Sequence, residues 1–268
     1  MTLTHRLLPK LALGLFAAAL SPAAFAQAFD AVRLYGAAPG EDGGLVGAAV
    51  VYGRQYQGSN ERRTQLFPII DYQWKNGFFA GTTNGIGYDF SKSPNLQYGV
   101  RVTADLGRDE SRSAALTGLG DIDARPEIGG FFNYFVNREV FVTSSLRYGS
   151  GNDRKGLVLD FGAGYSTTVA PQWRIGLGVS ASVVNQQYMQ SYFGVDAAQA
   201  AKSGYGQYTP SSGLRDLRAN AALTWQLDPR FSVTGGLSLV GLQGDARDSP
   251  IVRRTSSANG LLAVNYAF

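Results

Sequence analysis

Cysteine and histidine, which most nucleophilic and metal sites use, are almost absent from this sequence. Its 268 residues include no cysteine and one histidine, His5. His5 lies in a segment that we expect to be removed on export, so the mature chain has neither residue type. This excludes Ser-His-Asp and Cys-His nucleophiles and metal sites built from His or Cys. Carboxylate pairs and Ser-Lys chemistry stay formally open, but we predict a protein that is not an enzyme and carries no cofactor.

Long apolar runs and clusters of one charge are also missing. Beyond the N-terminus, no stretch approaches the ~18 consecutive apolar residues of a membrane-spanning helix. Loss of Arg6 and Lys10 with the N-terminal segment leaves 22 basic against 20 acidic residues, so the net charge falls from +4 to +2. The basic residues form no Lys/Arg-rich run. The high calculated pI therefore does not predict a nucleic-acid partner.

The N-terminal segment has the pattern of a secretory signal peptide. Arg6 and Lys10 precede the apolar run "LALGLFAAAL", and an A-x-A cleavage pattern follows at Ala24-Phe25-Ala26. We predict a cleaved signal over residues 1–26 and a single domain over residues 27–268. Without disulfides, that exported domain must obtain its stability from another source.

The rest of the chain is dominated by two-residue alternation. In "QYGVRVTADL" (97–106) and "QWRIGLGVSASV" (172–183), apolar side chains alternate with Gly and polar ones. Such segments reach ten residues or more, which exceeds the usual strand length and suits a tilted bilayer crossing. Aromatic residues of the apolar parity fall near strand ends, as in the aromatic girdles of membrane barrels. These are Tyr148, Trp173, Trp225, Phe231 and Tyr266.

The pattern predicts an all-β fold, a transmembrane antiparallel up-and-down β-barrel of about 12 strands. Very short turns alternate with long polar loops, as expected for periplasmic turns and outer loops. Eleven strands are predicted, at residues 45–56, 64–74, 78–90, 97–107, 125–136, 139–149, 157–169, 172–184, 214–227, 230–241 and 258–268.

The strand count leaves two alternatives. Bacterial single-chain barrels have even strand numbers, and the segment "FDAVRLYGA" (29–37) is the candidate for a twelfth strand. The alternative is ten strands, with the segment around Pro68 mispaired or bulged. The turn "KNG" (75–77) fits neither scheme well, because it is tight where an outer loop is expected.

The C-terminal strand "GLLAVNYAF" has the pattern of an assembly signal for the outer membrane. Leu262, Val264, Tyr266 and Phe268 share one parity, and Phe268 is the last residue of the sequence. A barrel leaves no edge in lipid, so this strand must pair with the first one. We expect it to be recognised by the outer-membrane assembly machinery of a Gram-negative bacterium, with the lipid bilayer of the outer membrane as the protein's environment.

Several motifs resemble the MltA-interacting protein (MipA)/OmpV family of outer-membrane proteins. They are "YQGSNERR" (56–63), "LFPIIDYQW" (66–74), "GRDES" (107–111), "LTGLGDID" (116–123), "YMQSYFGVDAAQAAKSGYGQYTPSSGLRD" (188–216) and "GDARDSPIV" (244–252). The resemblance implies an outer-membrane barrel acting as a scaffold that links a lytic transglycosylase to a murein synthase. Other relatives are described as porin-like, or as affecting adhesion, osmotic response and antibiotic susceptibility.

Inward-parity charged residues form one set of candidates. They either line an aqueous lumen and bias its ion selectivity, or form salt bridges that plug a narrow barrel. These residues are Arg101, Asp105, Arg147, Asp160, Arg174 and Arg218.

The loops supply a second set of candidates. Asp121 and Asp123, with Asp109 and Glu110 upstream, offer oxygen ligands for a hard cation, but a solvated acidic loop with a Gly-supported turn is favoured. Tyr192 and Phe193 lie in the longest loop. One possibility is functional: the loop folds into the barrel mouth, or its exposed aromatics bind a partner. The other is structural: these aromatics pack the loop against the barrel.

Overall fold

The computed structural model describes residues 41–268, and these residues form a closed antiparallel barrel. The prediction of a 12-stranded barrel is confirmed. Its strands are β1 (Gly43–Arg54), β2 (Arg62–Gln73), β3 (Phe78–Gly81), β4 (Gly85–Asp89), β5 (Leu96–Asp105), β6 (Arg125–Phe135), β7 (Val140–Ser150), β8 (Gly156–Ala170), β9 (Trp173–Val184), β10 (Gly213–Gln226), β11 (Phe231–Leu242) and β12 (Ser256–Ala267). Every strand pairs with its sequence neighbours, and β12 closes the barrel against β1.

Short helices occur only in the connections of the described chain. They are α1 (Gln186–Phe193), α2 (Ala197–Ser203) and α3 (Gly244–Arg247), with 3-10 turns at Glu110–Arg112 and Ala114–Leu116. Within residues 41–268, no helix has the length and apolar character needed to cross a membrane.

The two ends of the barrel carry different connections. The turn end has the connections 74–77, 90–95, 136–139, 171–172 and 227–230, together with Gly43 and Phe268. The loop end has the connections 55–61, 106–124, 151–155, 185–212 and 243–255. This is the arrangement of outer-membrane barrels, in which short turns face the periplasm and long loops face outward.

Side chains separate by parity between the inside and the outside of the barrel. On β5, Val100 and Val102 point outward and are about half exposed, whereas Arg101 and Asp105 are buried inside. Outward aromatic rings collect at the turn end, where Trp173 and Trp225 stack with centroids 5.6 Å apart. Further contacts there join Tyr72 to Trp74, Phe78 to Tyr88, Tyr88 to Phe90, Phe90 to Tyr98, and Tyr266 to both Phe231 and Phe268. A girdle of this kind marks a membrane interface.

The predicted strand 78–90 is wrong. The chain reverses at residues 82–84, so this segment forms two short strands, β3 and β4, that pair with each other. Gly85 takes a left-handed φ of +78° after the reversal, a conformation that glycine adopts without strain. This hairpin supplies the twelfth strand. The predicted twelfth strand, 29–37, lies outside the described residues, as does the predicted signal 1–26.

The hairpin also explains the other two irregularities in the predicted pattern. The turn "KNG" (75–77) lies at the turn end, where a tight connection is expected. The ten-strand alternative is wrong, because β2 pairs with β1 over its whole length without a register shift. Pro68 is accommodated because its missing N–H lies on the side of β2 away from β1, where no ladder bond needs it.

Candidate functional site

The loop end of the lumen holds a continuous network of charged side chains. Arg147 on β7 lies between two carboxylates, with Nη1 3.1 Å from Glu127 on β6 and Nη2 2.6 Å from Asp160 on β8. Ser150 donates to the other oxygen of Glu127. Because antiparallel neighbours at the same level place inward residues side by side, three adjacent strands contribute one charge cluster.

A second cluster on β10 joins the first through Ser182 on β9. Ser182 donates its hydroxyl hydrogen to Asp160 and accepts from Arg218, whose Nη2 lies 3.2 Å away. Arg218 also pairs with Asp216, at 2.9 Å between Nε and Oδ1. The resulting luminal network runs across β6, β7, β8, β9 and β10.

A β-bulge adds Arg215 to the luminal network. The β9–β10 register shifts between Leu214 and Asp216, so Arg215 is the extra residue and both Arg215 and Asp216 are buried. A bulge of this kind redirects a side chain that regular alternation would point outward. The Arg215 side chain is 0% exposed and its Nε lies 2.6 Å from Asp216. A buried charge requires such pairing, because its desolvation is otherwise too costly.

Helix α1 lies across the barrel mouth above the luminal network. Tyr188 accepts a 2.8 Å hydrogen bond from Arg215 on β10. One helical turn later, the Tyr192 hydroxyl lies 2.5 and 2.6 Å from the two carboxylate oxygens of Asp105 on β5. In a barrel of twelve strands, β5 and β10 are almost opposite. The helix therefore connects two facing walls, and we call this arrangement the closed mouth.

Local sequence fixes the position of α1. Asn185 caps the helix by accepting from the Tyr188 N–H, and it bonds the backbone of both Lys155 and Leu157 at the start of β8. Asn is among the preferred N-cap residues because its side chain replaces a missing backbone acceptor. Met189 and Phe193, one turn apart, are buried against Val158, Val184, Leu242 and Ala246. Burial of one helix face provides most of the stability of so short a helix.

The other long loops pack around α1. A second apolar cluster joins Tyr56, Leu116, Leu119, Val195 and Ile251 from four different loops. The Tyr56 hydroxyl donates to the Ile251 carbonyl at 2.9 Å, and burial raises the pKa of Tyr56 to about 12. Burial and the adjacent Asp105 carboxylate raise the pKa of Tyr192 well above its usual value. Both hydroxyls therefore stay protonated as hydrogen-bond donors at neutral pH.

Five of the six predicted luminal residues lie at the loop end. Arg147, Asp160 and Arg218 belong to the luminal network, and Asp105 holds Tyr192. Arg101 donates to Ser145 at 2.9 Å, and its guanidinium lies over the Phe131 ring. Arg174 is separate from this group, because it is exposed near the turn end, where its Nε donates to Ser166.

The loop candidates are held within the loops. The Asp121 carboxylate accepts from the Glu110 N–H at 2.7 Å, and Asp123 pairs with Arg125 at 3.0 Å. Phe193 is 0% exposed, and its carbonyl accepts from Ser249. In the described part of the chain, no group of three or more carboxylates or histidines is placed to hold a metal.

Six members of the luminal network and the closed mouth are not among the predicted site residues, namely Glu127, Ser150, Ser182, Tyr188, Arg215 and Asp216. Glu127 and Asp216 have the inward parity of their predicted strands, so alternation was sufficient to find them. Arg215 has the opposite parity, and only the bulge turns it inward. Tyr188 lies in a loop, where no periodicity identified it.

Part of the lumen carries polar side chains without protein partners. Asn220 on β10, Ser238 on β11 and Asn265 on β12 point inward and are buried. Among the described residues, none hydrogen-bonds the two amide atoms of Asn220 and Asn265 or the Ser238 hydroxyl. Buried polar groups of this kind are normally satisfied by water.

Family comparison identifies the protein's relatives. The family model of MltA-interacting protein MipA matches residues 46–268. The chain belongs to this family. With the closed 12-stranded fold, membership makes it an outer-membrane β-barrel. No curated protein is significantly similar to it in sequence.

Solved structures of outer-membrane porins and channels resemble this chain at low sequence identity. The NanC porin has a TM-score of 0.51 at 10% identity, with 82% of this chain and 98% of that chain covered. The KdgM porin has a TM-score of 0.46 at 11% identity, covering 84% and 99%. The COG4313 outer membrane channel from Pseudomonas putida F1 has a TM-score of 0.48 at 11% identity, with 93% of this chain and 100% of that chain covered. At these identities the likeness extends to the fold alone.

Proposed function

We propose that this protein is a non-catalytic scaffold in the outer membrane of a Gram-negative bacterium, which holds peptidoglycan-remodelling enzymes. The closed mouth carries the proposal. Its buried charge pairs and its helix occupy the outer end of the lumen, so the interior serves as structure and the surface is left to bind partners. The family's description as MltA-interacting supports a lytic transglycosylase as one partner, and the motif resemblance extends this to a murein synthase.

The turn end is the surface for such partners, because it faces the periplasm. Four of its five connections carry one exposed basic residue each, namely Lys75, Lys92, Arg138 and Arg230. Exposed charges of one sign around a rim favour encounter with acidic surfaces. Glu41, Asp42, Glu139 and Asp228 lie at the same end, so the surface is mixed rather than uniformly basic.

Crosslinking in cells tests the scaffold proposal. The lytic transglycosylase and murein synthase should co-purify with the wild-type barrel. Recovery should fall severalfold when Lys75, Lys92, Arg138 and Arg230 are replaced together by Ser. The matched control replaces Arg154, Lys155, Lys202 and Arg247 of the loop end by Ser, and should retain the partners. Absence of both enzymes from the wild-type complex would refute the proposal.

A second candidate is a pore for small solutes that is closed in this conformation. The buried and unpaired Asn220, Ser238 and Asn265 side chains support it, since they require water inside the barrel. Conductance of folded protein in a planar bilayer separates the two functions. The scaffold predicts silence from the wild type. Steady wild-type channels would make the pore the primary function.

A further inference from the structure

The barrel wall is incomplete between β2 and β5. β2 pairs with β1 from Arg62 to Gln73, but with β3 only at Asp71, Tyr72 and Gln73. On the far side of the hairpin, β4 pairs with β5 only from Gly99 to Val102. Two strands fill the wall at the turn end and end halfway up, so about three strand spacings, or ~14 Å, separate β2 from β5 at the hairpin tip.

On the side of β2 that faces β3, the last hydrogen bonds to the strand are made by one residue. Thr82, at the hairpin tip, donates its N–H to the Ile70 carbonyl. Its hydroxyl accepts from the Ile70 N–H and donates to the Pro68 carbonyl, each at 3.0 Å. Residues of the same parity present their backbone to the same side of an antiparallel strand. The N–H and C=O groups of Leu66 and Thr64 therefore point into the gap, and no strand among residues 41–268 pairs with them.

This gap lies at the height of the lipid-facing surface. Leu66 pairs with the outward Val50, and Thr64 pairs with Tyr52, whose ring marks the loop-end border of the apolar band. Leu66 is the most exposed large apolar side chain of the described barrel, at 73%. Hydrocarbon does not tolerate unpaired backbone polar groups, which are found only where protein or water satisfies them.

Pairing with another chain explains the gap poorly. The free stretch offers the backbone of only three residues, Arg62, Thr64 and Leu66. The next residue on the same side of β2 is Pro68, which has no N–H to donate. Short edges and prolines are devices that prevent strand addition. Among residues 41–268 no strand covers these groups, and water from the lumen, reached through an opening, can satisfy them.

The opening is apolar on its membrane side and mixed on its luminal side. Leu66, Ile86 and Val102 face outward beside it. On the luminal side, Phe67 of β2 is half-buried next to the apolar cluster that contains Ile69. On β5, the Thr103 hydroxyl lies 3.3 Å from Glu127. The loop residues Asp109 and Arg112 lie within electrostatic range of Arg63 and border it at the loop end. Such a surface suits a molecule with an apolar chain and a polar head.

We propose that this opening, the lateral window, connects the lumen to the outer leaflet and admits amphiphiles with an uncharged polar head. The chain of the amphiphile lies along the exposed Leu66 and the half-buried Phe67. Its head reaches the hydrogen-bonding groups around Thr103. Glu127 is already paired with Arg147, and Asp105 already accepts from Tyr192, so neither carboxylate is available to a cationic head and an uncharged head suits the site.

Two measurements on the full-length protein folded in lipid nanodiscs test the window. The first is amide hydrogen exchange, in which Leu66 and Thr64 should exchange as fast as loop amides. Leu261 and Ala263 of β12, which is paired on both sides, serve as the slow reference. Protection of Leu66 and Thr64 would overturn the proposal, because it would mean that another segment or a second copy covers the edge.

The second measurement uses the absence of cysteine from the chain. A fluorophore is attached to Phe67→Cys, behind the window, or to Asn220→Cys, inward on the far wall. Brominated dodecyl maltoside should quench the Phe67→Cys label severalfold more strongly than the Asn220→Cys label. Equal quenching of the two labels would overturn the proposal, even if the amides exchange rapidly.

A further substitution, made in the labelled Phe67→Cys chain, tests whether the quenching depends on the window rather than on the label. Thr82→Val removes the hydroxyl that holds the hairpin tip to β2, so it should widen the window and increase quenching at Phe67→Cys. Thr167→Val removes a hydroxyl that bonds Glu139 at 2.6 Å, away from the hairpin, and should leave quenching unchanged. Equal quenching in the two variants would contradict the assigned position of the window.

Discussion

The loop end and the turn end of this barrel are stabilised by different interactions. At the loop end, buried ion pairs inside the lumen connect to a helix and to two apolar clusters built from the loops. At the turn end, the connections are short, and stability comes from outward rings such as the Trp173–Trp225 stack. The loop end is therefore a folded cap with its own core, whereas the turn end combines outward rings with a small inward apolar cluster around Leu45 and Ala263. Substitutions inside the lumen should therefore change the stability of the loop end. Substitutions on the outer surface should change the stability of the turn end.

The largest expected effect comes from Arg215→Ala. This change leaves Asp216 with one fewer cation and removes the shorter of the two hydrogen bonds that the Tyr188 hydroxyl accepts, in a site where Arg215 has no exposure. Breaking a buried ion pair costs about 3–5 kcal/mol, so the free energy of unfolding in urea should fall by about that amount. Arg174→Ala, at an exposed turn-end position, is the control and should change it by less than about 0.5 kcal/mol. Similar losses in both variants would remove the distinction between the ends.

Tyr192→Phe should release one end of helix α1. The change removes the hydroxyl that binds both oxygens of Asp105, while the Gly107 and Gly151 N–H groups continue to donate to that carboxylate. A hydrogen bond to a charged group contributes about 1.5–3 kcal/mol. Amides of α1 should therefore exchange faster, by one to two orders of magnitude at that energy. Tyr208→Phe, which loses a bond to a loop carbonyl, should not affect α1.

Deletion of Phe268 tests the turn end. The residue exchanges two backbone hydrogen bonds with Gly44, and its ring contacts the rings of Tyr72 and Tyr266. Two such hydrogen bonds contribute about 1–3 kcal/mol together. Because the deletion also removes the terminal aromatic of the predicted assembly signal, it should lower outer-membrane yield severalfold. Exchange in α1, at the other end of the barrel, should be unchanged.

Phe268→Tyr is the matched control for the deletion, because it keeps both the ring and the terminal backbone bonds. Its outer-membrane yield, measured by heat-modifiable migration in SDS gels, should equal that of the wild type. A wild-type yield from the deleted chain would contradict the prediction that the C-terminal strand is an assembly signal.

The smallest expected effect is on the alkaline titration of Tyr56, a residue of the loop end. Burial raises the pKa of Tyr56 to about 12, from an ordinary value of 10.0. A raised pKa means that this residue's contribution to stability is fully present below pH 10 and is lost as the pH rises through about 12. The difference in tyrosinate absorbance between the wild type and Tyr56→Phe should correspond to one tyrosine with a midpoint near pH 12. A midpoint near the ordinary tyrosine value would contradict the packing of the loop cluster.

Residue order along the chain was enough to predict the fold class and the position of most strands. Strict alternation in a chain without long apolar runs admits few structures other than a barrel, because each strand must have one apolar and one polar face. The same parity placed Arg147, Asp160 and Arg218 inside the barrel. The pairing of the terminal strand was also predictable, since closure requires it to join the first strand.

The organisation of the lumen, by contrast, depends on contacts that appear only in the folded chain. Arg215 turns inward through a bulge that has no periodic signal, and the partner of Asp105 comes from a loop 87 residues away. The reversal at residues 82–84 was also hidden, because β3 and β4 together have the length of one ordinary strand. Parity states which face a side chain takes, but contacts between distant strands depend on register and loop packing, which alternation does not encode.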